Sequence, residues 1–135
     1  MEDNFFDELG KWLATQSVGT FGMDNGTGWG IYVLMSPPDI GKSIVLIPTP
    51  SASDPEIPTT RRNFQVLVLS SDPQESLDKA RTIYNLLHRA WGVALTTIYC
   101  YNFTSTGMPF YLGMDEQERA EIVANYTAFL KGQKV

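Results

Sequence analysis

Between Arg61 and Trp91 the chain reads as an apolar strand running straight into a well-capped helix, and this pairing constrains the fold more than any other feature. Arg61-Arg62-Asn63-Phe64-Gln65-Val66-Leu67-Val68-Leu69 is the strongest strand signal in the sequence. Its Val and Leu residues are nearly continuous, as expected of a strand covered on both faces. Asp72 then stands where a helix cap is needed, with Pro73 at the first helical position and Glu75 placed to complete a capping box. Leu77, Ala80, Tyr84, Leu87 and Trp91 recur at helical spacing, with Ile83 beside them, so a helix over 72–91 packs one face on a sheet. Gly92 is its expected stop. Lys79, Arg81, Asn85 and Arg89 fall on the opposite face and read as solvated.

Downstream, Ala94 to Phe103 reads as a second long strand, rich in Thr, Ile and Tyr. Thr104 to Gly107 turns the chain, Met108 to Met114 forms a shorter strand interrupted near Pro109, and Asp115-Glu116-Gln117 turns it again. From Glu118 to Leu130, Ile122, Ala124, Tyr126 and Ala128 alternate with Glu121, Asn125 and Thr127, which favours a strand over a helix.

Upstream, Asp3 or Asn4 can cap a first helix whose apolar stripe is Phe5, Phe6, Leu9, Trp12 and Leu13, with Gly19 as its stop. A glycine-rich connection from Gly19 to Gly30 leaves room for a short hairpin. Ile31 to Met35 and Ser43 to Ile47 read as strands, and the turn chemistry of Ser36 to Gly41 makes a hairpin the simplest connection. Pro48, Pro50, Pro55 and Pro58 deny backbone donors to any sheet, so 48–60 is a long loop. Its polar residues Ser51, Ser53, Asp54 and Glu56 are the candidate docking loop, an arm that orders against a partner subunit. The expected architecture is α+β: a single domain over 1–135 in which a mixed, mostly antiparallel sheet is packed by an N-terminal helix and one central helix. The tail, 131–135, is polar and expected to be flexible.

Chemistry is scarce. The one cysteine, Cys100, excludes an internal disulfide and sits among Ile98, Tyr99 and Tyr101, the setting of a buried structural thiol. A single histidine, His88, gives no metal-ligand spacing. Gly41-Lys42-Ser43 lacks the earlier glycine of a phosphate loop and leads into a strand. Ser70-Ser71 lacks the pattern of a strained nucleophile turn, and three Asn-x-Ser/Thr sequons (at Asn25, Asn102 and Asn125) carry no message without a secretory signal. The acidic pairs Asp115/Glu116 and Glu118/Glu121 read as solvated, without perturbed protonation. Catalytic, cofactor and metal sites are therefore all expected to be absent. Trp12 and Trp91 fall on helical core stripes, leaving Trp29 as the exposed tryptophan and an interface anchor. A net charge of −5 argues against a phosphate-neutralising grip on nucleic acid but suits a wall past which DNA slides. No apolar run approaches the roughly 20 residues of a membrane helix, and the acidic start Met1-Glu2-Asp3-Asn4 is unlike a secretory signal, so a cytoplasmic origin is expected.

The order of pieces in the second half resembles the tail-terminator and minor tail (minor capsid) proteins of long-tailed bacteriophages. The resemblance runs from about Ile57 to Phe129. It is carried by the proline loop entering Arg61-Arg62-Asn63-Phe64-Gln65-Val66, the helix around Ala80 to Leu87, the hairpin of Pro109 to Asp115, and the closing strand from Arg119 to Asn125-Tyr126. It implies a non-enzymatic virion protein that forms a ring, usually of six copies, at the head-proximal end of the tail. There it would halt the tail tube, meet the tail-tube protein and the head connector or stopper, and pass DNA through its lumen without specific binding. Its location would be the tail or neck of the virion, after assembly from the host cytoplasm. Candidate contacts between subunits are Trp29, Arg61, Arg62, Asp115, Glu116 and Arg119, the arginines pairing with Asp115, Glu116 or acidic groups of an adjacent copy. The alternatives are another head–tail joining or head-completion protein, or a small cytosolic ferredoxin-like ligand-binding domain, which the β-α-β-β order also fits.

Overall fold

In the computed structural model, the residues described are 5–21, 28–35, 41–49 and 59–131. They form α1 (Phe5–Thr15), β1 (Thr20–Phe21), β2 (Gly30–Val33), β3 (Ser43–Pro48), β4 (Thr59–Ser70), α2 (Pro73–Leu87), β5 (Trp91–Ala94), β6 (Tyr99–Ser105), β7 (Phe110–Met114) and β8 (Ala120–Lys131). The strands make one mixed sheet in the order β1-β2-β3-β4-β8-β6-β5, with β7 also paired to β8. The fold is α+β, and both helices take part in one core cluster.

The centre is the β4–β8 ladder, antiparallel from Thr59↔Lys131 to Ser70↔Ala120. Its two-residue period decides the faces. Phe64, Val66 and Val68 stand opposite Tyr126, Ala124 and Ile122, and all are buried in the core cluster. On the other face Asn63, Gln65, Asn125 and Thr127 are half-buried, and the Thr127 hydroxyl donates to Asn63 Oδ1 at 2.8 Å. The expectation that β4 is covered on both faces therefore holds only towards its end, where Leu69 is buried as well. Phe64 is the hub of the core. Its ring lies 5.9 Å from Phe5 of α1, 6.3 Å from Phe103 of β6 and 5.6 Å from Tyr126 of β8.

α2 starts as its sequence demands, with Asp72 accepting from the Gln74 N–H at 3.0 Å and Pro73 following. The capping box does not form. The N–H of Asp72 donates to Ser70 Oγ at 3.2 Å, while Glu75 turns to Lys42, just before β3, at 2.8 Å. The helix also ends a turn earlier than the apolar spacing suggests: Leu87 is its last residue, His88 its C-cap, and Arg89 takes a left-handed φ of 66°. Trp91 thus leaves the helical stripe, enters β5 and is 75% exposed. Ala80, Ile83 and Leu87 are the buried face. At the end of α1 the left-handed residue is Ser17 (φ 67°), not Gly19. Gly19 has a different reason to be glycine, since a Cβ there would lie 2.9 Å from the Trp29 carbonyl oxygen.

Two strand connections differ from the sequence expectation. β1–β2 and β2–β3 are parallel pairs, not hairpins. Apolar alternation sets which face a strand buries but not the direction of its neighbour, and here Leu34, at φ 79°, donates its N–H to Leu46 O (2.9 Å) and closes the end of β2 onto β3. The long strand expected over 94–103 is instead two, β5 and β6, folded back through a turn in which Leu95 N donates to Ile98 O at 2.8 Å. A buried carboxylate stabilises that turn: Glu8 of α1 accepts from Thr97 N (2.7 Å), Ile98 N (3.2 Å) and the Thr97 hydroxyl. β6 and β7 then run in the same direction along β8, β6 opposite 126–130 and β7 opposite 120–123, so they are two halves of one interrupted strand. Pro48 closes β3, Thr59 opens β4 and Lys131 ends β8, while 50–58 and 132–135 lie outside the described residues.

Candidate assembly surface

The sequence-derived contact residues are dispersed. At the β7–β8 corner, Arg119 Nε meets Asp115 Oδ2 at 2.8 Å, with side chains only 8% and 13% exposed. Asp115 Oδ1 accepts from the backbone N–H groups of Gln117 (2.9 Å) and Arg119 (2.8 Å), and Glu118 holds a left-handed φ of 60°. Burial alone pushes the Asp115 carboxyl up. The backbone N–H and guanidinium of Arg119, with the Gln117 N–H, outweigh it and hold the group below the usual carboxylate range. The expectation of an unperturbed, solvated acid is corrected here. Arg119 finds its carboxylate within its own chain, and Glu116 beside it is exposed.

Arg61 and Arg62 sit at the other end of the ladder, opposite Phe129 and Ala128. Eight residues of strand separate Arg62's partner from Ala120, roughly 27 Å at strand spacing. Neither arginine reaches Asp115 or Glu116 of the same copy. Trp29 is half-buried on the far lateral side, with Lys79 Nζ 5.4 Å and Lys42 Nζ 5.9 Å from its ring. Lys79 also donates to Val18 O at 3.2 Å. Its pKa is lowered by burial and by Lys42, against a raising pull from Glu75. The exposed tryptophan is Trp91, not Trp29. The candidate docking residues Ser51, Ser53, Asp54 and Glu56 lie outside the described residues.

What sequence reasoning missed is the free edge at β7. Among the described residues it pairs with β8 alone, and Met108, Phe110, Tyr111, Leu112 and Met114 are all about half exposed, at 49–58%. A groove of about 510 Å³ opens between this strand and α2, lined by Leu77, Arg81, Pro109, Phe110, Tyr111 and Ile122 among others. Natural sheet edges are usually blunted by charge. This one is not: residues 90–114 contain no Asp, Glu, Lys, Arg or His. That uncharged run is the signal from which the surface was legible.

Buried reactive groups are inert. Cys100 is buried, and desolvation, helped by Glu8, pushes its thiol up to about 12. Burial likewise raises the Tyr126 phenol, whose oxygen has no hydrogen-bond partner among the described residues. Among the described residues no group of three or more His, Cys, Asp and Glu side chains gathers for a metal ion, and no helix is long and apolar enough to cross a membrane.

A bare apolar sheet edge beside charges that pair within their own chain is the surface of a subunit that packs against other protein. Comparison with known families gives this class its identity. A family model described as "Bacteriophage tail terminator protein" matches residues 12–131, and the chain belongs to that family. It is thus a structural protein of the phage tail, located in the virion. A chain solved in the virion of a native gene transfer agent particle has a similar fold, with a TM-score of 0.55 at 15% identity over 76% of this chain and 78% of that one. A second solved chain, of unstated function, gives 0.53 at 13% identity over 97% and 93%. A search of curated proteins found no match.

Proposed function

We propose that this chain is the terminator itself: a non-enzymatic subunit that closes into a ring of six on the last ring of the tail tube, stops its growth, and presents a docking face to the head connector. The family membership over residues 12–131 carries this reading. Three physical features support it. The uncharged β7 edge supplies a surface for contact between copies. Arg61 and Arg62 stand at the opposite end of the ladder from the β7–β8 corner, so any pairing of theirs with Glu116 is a contact between copies. The acidic chain, net −5, repels phosphate and suits a lumen through which DNA passes without sticking. Residues 51–56 act as the arm that docks the neighbouring ring, and assembly from the host cytoplasm completes the reading.

The test is electron microscopy of tails assembled without the protein. Overlong tubes are expected, and restoration of normal length by added purified protein completes the result. Tails of normal length in its absence overturn the terminator role. Binding to the connector protein but not to tail-tube protein in pull-downs would instead identify a head-completion component.

A further inference from the structure

One row of paired residues crosses the sheet from β2 to β7, just beyond the two β1–β2 pairs at Gly30 and Ile31. Tyr32, Val45, Leu67, Val123 and Phe110 stand opposite one another in β2, β3, β4, β8 and β7. Five strands at about 4.8 Å spacing put the ends of the row roughly 19 Å apart. Both ends carry exposed apolar groups. At one end is the β7 edge, with the groove behind it. At the other, just past Val33, Leu34 and Met35 are 66% and 72% exposed. Leu34 is also held at a φ of 79°, costly for a leucine. Neither edge segment is charged: residues 28–35 and 104–114 contain no Asp, Glu, Lys, Arg or His, and the groove behind β7 has one charged side chain in its lining, Arg81.

We propose that these two edges are the two halves of one heterologous contact, in which β7 and its groove receive Leu34 and Met35 of a second copy of this chain. The proposal rests on the ring reading above and names the surfaces that close the ring. A β7-to-β7 contact would be isologous, would stop at a dimer and would leave Leu34 and Met35 in water. A contact between opposite edges covers both apolar groups and propagates from copy to copy. Because both lie near one row, joining them displaces successive copies little along the strands, which favours a closed ring over a filament. Among the described residues β7 pairs on one side only, and its other side adds donors and acceptors that an extended neighbour can satisfy.

The experiment uses the full-length protein with Leu112→Lys, with Met35→Lys, and with Met35→Cys combined with Leu112→Cys. Light scattering over a concentration series, with and without tail tubes as template, reads assembly, and circular dichroism melting checks that each variant folds. Each lysine variant is expected to weaken self-association about tenfold or more. An equimolar mixture of the two should recover pairwise association but not rings, because the intact β7 edge of Met35→Lys and the intact Met35 of Leu112→Lys complete one contact and leave only damaged halves for the next. A short bismaleimide should convert the double-cysteine variant into a ladder of covalent oligomers. Assembly unchanged in both lysine variants, or weakened by Leu112→Lys alone with cross-linking that stops at dimers, overturns the edge assignment while leaving the ring reading intact. A wild-type chain that stays monomeric even on tubes overturns the ring reading, and this proposal with it.

Discussion

The two flanks of β4 are held together by different means. On one side β8 pairs with it along its whole length, from Thr59 to Ser70, and α2 covers the ladder with Ala80, Ile83 and Leu87. On the other side β3 pairs with only half of β4, from Phe64 to Leu69, and then come two parallel strands, β2 and β1. The β8 flank is built from a long, period-two pattern and a tight turn at Asp115. The β3 flank is held by contacts between elements: Lys42 with Glu75, Lys79 with Val18 O, and α1 lying so close that a Cβ on Gly10 would meet the Phe21 ring at 2.4 Å. A flank secured by long-range contacts is expected to open first.

The largest test of that difference is Leu87→Ala. Leu87 is fully buried at the end of α2, and the cavity should cost about 2–5 kcal/mol in denaturant unfolding. Hydrogen exchange in the same variant is expected to show β2 and β3 amides losing protection before those of β4 and β8. Equal loss on both flanks would mean that they form one cooperative unit.

Arg119→Ala is next. It strips the partner from a nearly buried carboxylate within the β8 flank and should cost about 2–4 kcal/mol. The acid limb checks the cause. A carboxyl whose folded pKa is depressed contributes stability above its unfolded value of about 3.9, and this is lost as pH falls through the folded value. Wild-type stability should therefore fall more steeply below about pH 4 than that of Arg119→Ala. Parallel acid limbs would remove Asp115 as the source.

Legibility followed the same division. The β8 flank could be read because its information is local: the alternation of Ile122, Ala124, Tyr126 and Ala128, the Asp72-Pro73 cap, and the turn at Asp115. The β3 flank was misread because a turn-rich segment between Ile31 and Ser43 fits a hairpin as well as a return to a parallel start. Trp91 was misplaced because its spacing from Leu87 continues the helical stripe, while Arg89 leaves helical geometry two residues earlier. The acid–base pair at the corner was half legible: Arg119 and Asp115 stood out as partners, but their meeting within one turn of one chain depends on the left-handed Glu118, which no glycine or asparagine announces. The β7 edge was overlooked because Met108 to Met114 was read only as a short strand, with no strand order to place it at an edge; the absence of charge across 90–114 was the better guide.

Glu8→Ala probes where the first helix is pinned to the far end of the sheet. Three donors at Thr97 and Ile98 lose their acceptor, for about 1–3 kcal/mol. Because Glu8 also helps to raise the Cys100 thiol, the alkaline limb should change too. The raised folded pKa means that stability is present in full below the unfolded thiol's value of about 8.5 and is lost as pH rises from there towards 12. Glu8→Ala should make the loss level off at a lower pH, measured by urea midpoints from about pH 8.5 up to 12. An unchanged profile would show that burial alone sets the thiol.

The smallest expected effect sits inside the better-made flank and asks whether its packing is already complete. Tyr126 stacks on Phe64 at 5.6 Å and is buried, yet its hydroxyl has no partner among the described residues. Its ring therefore stabilises the core while its oxygen carries an uncompensated desolvation cost. Tyr126→Phe keeps the ring and removes the cost, so stability should stay level or rise by up to about 1 kcal/mol. It should also remove one contribution to alkaline destabilisation above the ordinary tyrosine range, since burial raises this phenol. A loss of more than about 1 kcal/mol would mean that the hydroxyl is held in solution by a bridging water. The β8 flank would then owe part of its rigidity to solvent as well as to its ladder.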